Sequence, residues 1–254
     1  MQFVDTHCHI HFADYGLEPE TVIEEAVQMG VSKMLCVGCT LEDSKIGIEF
    51  ANKHANVWAS VGIHPHEAKK YAKKHEKLDE FESIVRSSKV VAIGEAGLDY
   101  YYKHSPKAEQ IELLHFQMSL AKKYNLPMIF HVREAFNDFW PIYDEYKVQG
   151  VIHSFTATKK ELEEALARKL YIGLNGIMTF TKDEKQLEAA KQVPLSKLLL
   201  ETDAPFLTPT PYRGIICQPK HVVTTAEYLA KLRNESLEQV AEATTKNAEA
   251  LFRI

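Results

Sequence analysis

Short apolar runs alternate with amphipathic stretches along this chain, and that alternation constrains the fold more than any single motif. Strand-like runs lie at residues 3–10, 33–37, 57–62, 90–94, 128–131, 151–153, 171–174 and 198–201. Segments with helical periodicity follow at 19–29, 41–53, 75–86, 108–124, 134–146, 159–167, 182–192 and 222–231, with one more at 237–252. Strands that alternate with helices build a parallel sheet covered by helices. Eight such units in 254 residues are the size of a (β/α)8 TIM barrel. The rival is a doubly wound open sheet. Its dinucleotide-binding form has no support, because no G-x-G-x-x-G follows the first strand. No Pro/Gly-rich linker, charge block or low-complexity stretch divides the chain, so residues 1–254 are expected to form a single domain. Gly30 is placed to stop the first helix. Thr158, with Glu161 three residues on, reads as a capping box.

Bulk properties narrow the function classes. Hydrophobic residues make up 45% of the chain and charged residues 26%, ordinary for a globular protein with a large core. No apolar stretch approaches the ~20 residues that span a bilayer, so no membrane role is expected. No basic segment followed by an apolar one opens the sequence, and the expected location is cytoplasmic. A net charge of -5 argues against tight static binding to DNA through a basic surface. It leaves room for an enzyme that meets phosphates through metal ions and a few local cations. Cys36-Val37-Gly38-Cys39 closes a strand rather than opening a helix, and no second C-x-x-C exists, so neither thioredoxin-like redox chemistry nor a zinc knuckle is expected.

The chemistry-bearing residues sit where the strands end. His7-Cys8-His9 lies in the first strand, where residues two apart share a face. Both imidazoles then project together, roughly 7 Å apart at their α-carbons, a span that two bonds to one metal can close. Cys8 faces the other way, into packing. Glu95 follows the fourth strand, His131 ends the fifth, His153 ends the sixth and Asp203 follows the eighth. Each alone has an ordinary reading as a packed histidine, a turn carboxylate or a cap. Together they gather on the rim where barrels of this kind carry their active sites. Imidazole plus carboxylate suits zinc, manganese or cobalt, or magnesium completed by water. His7, His9 and Asp203 come from neighbouring strands one and eight, and His131 and His153 from strands five and six. Glu95 is placed to bridge the two groups. The expectation is two divalent metal ions ~3.5–4 Å apart and metal-assisted hydrolysis.

On these residues the chain resembles the TatD family of metal-dependent deoxyribonucleases, within the amidohydrolase-like hydrolases. The resemblance runs from Val4-Asp5-Thr6-His7-Cys8-His9 to Asn247-Ala248-Glu249-Ala250-Leu251-Phe252. Its blocks are Gly62-Ile63-His64-Pro65-His66, Gly94-Glu95-Ala96-Gly97-Leu98-Asp99-Tyr100, His131-Val132-Arg133, His153-Ser154-Phe155 and Glu201-Thr202-Asp203-Ala204-Pro205-Phe206-Leu207. It implies that His7, His9, Glu95, His131, His153 and Asp203 are the metal ligands. It also implies hydrolysis of nucleic-acid phosphodiesters from a 3′ end, with single-stranded DNA as the expected substrate and no obligate protein partner. Asp203 is expected to accept the proton of the attacking water.

Other residues carry paired expectations. Glu201 either orients a ligand or partners a buried cation. His64 resembles the family's phosphate-side histidine. Arg133 either clamps a phosphate or pairs with Glu134 or Asp138. Tyr100, Tyr101 and Tyr102 either stack a base or pack on their loop. In Tyr212-Arg213-Gly214-Ile215-Ile216-Cys217-Gln218-Pro219 the family's first Arg-Gly remains, with Arg213 as a substrate contact, but a second basic residue and an Asn-Glu pair are replaced. His153-Ser154-Phe155-Thr156-Ala157 lacks the family's glycine after its Phe. These departures keep two rivals open: a hydrolase of a small ester, lactone or amide, and a non-catalytic metal-stabilised binding protein. His11, His54, His66, His75, His104, His115 and His221 are assigned no role. The lysines at 69, 70, 73 and 74 read as a solvated face.

Overall fold

A computed structural model describes residues 1–254. Its strands are β1 (Phe3–Cys8), β2 (Val31–Val37), β3 (Val57–Val61), β4 (Val90–Asp99), β5 (Met128–Arg133), β6 (Gly150–Ile152), β7 (Tyr171–Leu174) and β8 (Leu198–Leu200). The helices are α1 (Pro19–Gln28), α2 (Leu41–Lys53), α3 (His75–Ile84), α4 (Lys107–Tyr124), α5 (Phe136–Tyr146), α6 (Lys159–Ala167), α7 (Glu184–Gln192), α8 (Val222–Arg233) and α9 (Leu237–Phe252). The strands form one sheet in chain order, β1 to β8. Four short 3-10 turns, at Pro65–Lys70, Gly176–Thr179, Leu195–Lys197 and Pro219–His221, lie outside the expected pattern. The sequence periodicity does not mark segments that short.

The chain divides into two compact units. The first comprises residues 1–36 and 154–254. Here β1 pairs with β2 in parallel, Phe3 opposite Val31 and Cys8 opposite Cys36, and β7 pairs with β8, Ile172 opposite Leu198. Cys8 also bridges Ala204, so the first strand borders the segment after the last. Every β1 side chain is buried, which is why its pattern is a continuous run rather than an alternation. Helix α1 ends as expected: Gly30 takes φ 90° and its N–H donates to the Val27 carbonyl at 2.9 Å. Thr158 caps α6 with the reciprocal Glu161 contact.

The second unit spans residues 37–153. β3 pairs with β4, Val61 opposite Ile93, and β5 joins β4 to β6 with Phe130 opposite both Ala96 and Ile152. Its core packs Phe81, Leu114, Phe130 and Phe139, all fully buried. The boundaries correct several expectations, and β6 stops at Ile152, so His153 lies just beyond its strand rather than ending it. β1 stops at Cys8, so His9 lies just beyond the strand. β4 runs on through Asp99 and β5 through Arg133, so Glu95 and His131 sit inside strands rather than after or at their ends. Glycines at 94 and 97 hide this extension, because glycine reads as a strand breaker. Gly97 is there because the chain is crowded: a Cβ would lie 1.8 Å from the His131 carbonyl oxygen.

Candidate metal centre

In the first unit, three donor atoms converge. His7 is fully buried and His9 is 3% exposed. Their Nε2 atoms stand 3.1 Å apart. Asp203 takes a left-handed backbone, φ 63°, which a short polar side chain tolerates. Two backbone bonds hold it there: Asp203 N–H donates to the His7 carbonyl at 2.8 Å, and His9 N–H to the Ala204 carbonyl at 2.6 Å. Asp203 Oδ1 then lies 3.5 Å from each Nε2. Bonds of ~2.0–2.2 Å to a tetrahedral ion place neighbouring ligands ~3.4 Å apart. The triangle of 3.1, 3.5 and 3.5 Å therefore has the size of one face of such a site. The His9 ring is fixed from behind by Phe12, stacked at 4.6 Å.

Asp5 supports this triangle without joining it, and Glu201 holds the backbone at Ser154. Asp5 is fully buried and accepts from His7 N–H at 3.3 Å, Thr202 N–H at 2.9 Å and the Thr202 hydroxyl at 2.6 Å. Burial pushes its carboxyl well above the usual range, and those hydrogen bonds offset only part of the effect. Glu201 is 1% exposed, and its Oε1 accepts from Ser154 N–H at 2.6 Å. Gly173 makes room for it, since a Cβ there would lie 2.3 Å from Glu201 Oε2. Glu201 thus grips the backbone immediately after His153.

In the second unit, carboxylates and imidazoles interleave. Glu95, Gly97 and Asp99 share one face of β4, and the register sets Gly97 against His131. Glu95 Oε1 lies 2.8 Å from His131 Nδ1, 3.5 Å from His64 Nε2 and 3.7 Å from His153 Nε2. Asp99 Oδ2 lies 3.0 Å from His131 Nε2 and 2.8 Å from His66 Nε2. His131 is therefore held at both nitrogens. A carboxylate behind the far nitrogen is the arrangement that orients a metal-ligating histidine.

The titration behaviour follows from this lattice. Burial alone would raise Glu95, but the charges of His153 and His64 and the His131 hydrogen bond hold it well below the usual range. Asp99 is likewise held far down against burial, chiefly by His131 and His66. Burial would lower His131, yet its bonds to Asp99 and Glu95 raise it to about 9. Burial pushes His64 down to about 4, so it is neutral at physiological pH. His64 Nδ1 accepts from His66 N–H at 3.2 Å, which leaves the proton on Nε2, facing Glu95.

The expected substrate contacts are distributed differently. Arg133 lies over the Tyr101 ring at 4.8 Å, not on Glu134 or Asp138. Tyr100 donates its hydroxyl to Asp138 at 2.9 Å and is only partly exposed, while Tyr101 and Tyr102 stand out at 51% and 56%. Arg213 packs over Phe180 at 3.9 Å and donates to the Thr208 carbonyl at 2.8 Å. The lysines at 69, 70, 73 and 74 are all exposed.

Three participants escaped the sequence reading: Asp5, His66 and Asp99. His66 had been set aside with the loop histidines, yet it forms with His64 and His131 a group whose donor atoms lie within 4.8 Å of one another. The signal for Asp99 was present, since it alternates with Glu95 once β4 is read as a long strand. Asp5 stands two residues before His7 on the same strand, a charged residue in an apolar run.

The family described as TatD related DNase matches residues 4–253. The chain belongs to the TatD family. YabD of Bacillus subtilis (strain 168), an uncharacterized metal-dependent hydrolase, is 37% identical over 98% of each chain. The 3′-5′ ssDNA/RNA exonuclease TatD of Erwinia amylovora is 32% identical, again over 98% of each. The crystal structure of YjjV, a TatD homologue from Escherichia coli K12, superposes with a TM-score of 0.90 at 28% identity, covering 99% of this chain and 98% of that one. The fold is thus the (β/α)8 barrel expected from the alternation, and this TatD-family chain is a metal-dependent hydrolase.

Proposed function

We propose that this protein is a two-metal nuclease that removes nucleotides from the 3′ end of single-stranded DNA, acting in the cytoplasm as one functional domain. The observation that carries the reading is the His7–His9–Asp203 triangle, sized for one divalent ion. Under this reading Glu95, His131 and His153 are ligands of the second ion. Magnesium, manganese and zinc all suit the donor set. Bound ions supply a water of lowered pKa and charge stabilisation at the phosphoryl group.

The chain's own residues do the rest. Asp203, the more exposed member of its triangle at 17%, accepts the proton of the attacking water. The new bond joins that water oxygen to phosphorus. The bond from phosphorus to the 3′ oxygen of the shortened strand breaks, and the proton passes to that oxygen. His64, neutral, turns its Nε2 proton toward Glu95 and so orients that carboxylate. Asp99 keeps His131 in orientation, Asp5 holds the backbone at His7 and Thr202 on which the first triangle stands, and Glu201 holds the backbone at Ser154. Arg133 supplies a cation for the substrate backbone.

A second reading has one observation behind it. Arg213 packs its guanidinium over Phe180 and donates to the Thr208 carbonyl, so it is engaged within the chain, and a small ester or lactone needs no cation. Hydrolysis of 5′-labelled and 3′-labelled single-stranded oligonucleotides with Mg²⁺, Mn²⁺ or EDTA separates the two. A metal-dependent ladder from the 5′ label, with single nucleotides released from the 3′ label, is the expected result. No cleavage with bound metal, together with turnover of small esters, would transfer the site to the second reading.

A further inference from the structure

The loop after β4 carries more exposed aromatic surface than its packing requires. Tyr101 and Tyr102 are 51% and 56% exposed, with ring centroids 4.8 Å apart and nearly perpendicular. Arg133 covers one face of Tyr101 at 4.8 Å. Neighbouring Lys103 is exposed and has no carboxylate partner. It also lines a cleft of about 440 Å³ with Tyr100 and Lys107.

This platform is positioned rather than loose. Asp99 Oδ1 accepts the N–H groups of Tyr101 at 3.0 Å and Tyr102 at 2.9 Å. The other oxygen of the same carboxylate holds His131 and His66. One buried side chain therefore fixes both the tyrosines and a metal-ligand candidate.

We propose that this loop is a nucleotide subsite, in which a base of single-stranded nucleic acid stacks on the Tyr101 face that Arg133 leaves open and meets Tyr102 edge-on, while Arg133 and Lys103 meet its phosphate. Rings present a face to any base, so the subsite is tolerant of sequence, and the two cations match the charge of the backbone. The proposal rests on the nuclease reading and assigns the base contact to Tyr101 and Tyr102 in place of Tyr100.

The test uses the metal-loaded enzyme and an oligonucleotide in which a single abasic residue is walked inward from the 3′ end. For the wild type, kcat/KM should fall about tenfold when the gap occupies the subsite, within the roughly 5- to 150-fold range of base–aromatic stacking. In the double variant Tyr101→Ala/Tyr102→Ala that position-specific fall should vanish, with the ordinary oligonucleotide cleaved about as slowly as the gapped one. Both rings are exposed, so an unchanged circular dichroism spectrum is expected. Lys103→Gln should reduce the slope of log affinity against log salt by about 0.7. If the double variant cleaves ordinary DNA normally and keeps the wild-type pattern of losses, the subsite is wrong while the nuclease reading stands. If no oligonucleotide is cleaved at all, both fall together.

Discussion

The two clusters of candidate ligands differ in their electrostatics. In the first unit, two imidazole nitrogens 3.1 Å apart face the Asp203 carboxylate oxygen at 3.5 Å each. In the second, Glu95 and Asp99 alternate with His64, His66, His131 and His153, and both carboxylates bond His131, whose proton they hold. The first cluster is a socket, three donors spaced like one face of a tetrahedral ion's ligand set. The second is a lattice that neutralises itself with protons when no cation is present. Histidine pairs signal the first arrangement, whereas a chemically similar ligand set inside a hydrogen-bonded network produces the second.

The largest effect should come from the socket. Asp203→Asn keeps the shape and removes the proton acceptor, and kcat should fall by about 10²–10⁴ with metal still bound. Metal content and single-turnover rates measured on the same sample check this. A kcat near wild type would remove Asp203 from its role and erase the functional contrast between the clusters.

The lattice should reveal itself in the metal-free protein's response to pH. His131 is raised from 6.5 to about 9, so its stabilisation is complete below pH 6.5 and is lost as pH rises through 9. That loss is at most about 3 kcal/mol. Glu95 and Asp99 are depressed, so their contribution is present above the ordinary carboxylate range and lost as pH falls. Thermal melts in EDTA from pH 6 to 10 should therefore show Tm declining on the alkaline side, and His131→Gln should flatten that decline. A flat wild-type profile would mean that the lattice holds no such charge.

A smaller change tests the link between the lattice and the metal. Asp99→Asn weakens the hold on His131 Nε2, and metal affinity should drop about 10- to 100-fold, read by titration with Mn²⁺. The smallest effect is expected at Arg213. Its guanidinium lies on Phe180, so Arg213→Ala should change KM for an oligonucleotide less than about threefold, the scale of an exposed cation–π contact. A large rise in KM would show that Arg213 leaves Phe180 to bind substrate.

Much of this was legible before any coordinates. The alternation of runs sufficed for the barrel, and His7, His9, Glu95, His131, His153 and Asp203 stood out because polar residues there interrupt or terminate apolar runs. What stayed hidden depends on pairing. Asp99 joins the cluster only because β4 continues past two glycines and lies in register with β5, placing Gly97 beside His131. His66 joins because a 3-10 turn folds it back toward Asp99. Arg213 offered no sign that Phe180, 33 positions earlier, would take its guanidinium. Strand periodicity reports what a residue faces, not which distant partner reaches it first.

The central claim is that socket and lattice each hold one ion. The most direct test is the number of Mn²⁺ ions bound per chain at equilibrium, for wild type and for the separate variants His7→Ala/His9→Ala and His131→Ala/His153→Ala. The account predicts two ions in the wild type and one in each double variant, with nuclease turnover lost in both. A single ion in the wild type, or a count that neither double variant changes, would contradict it.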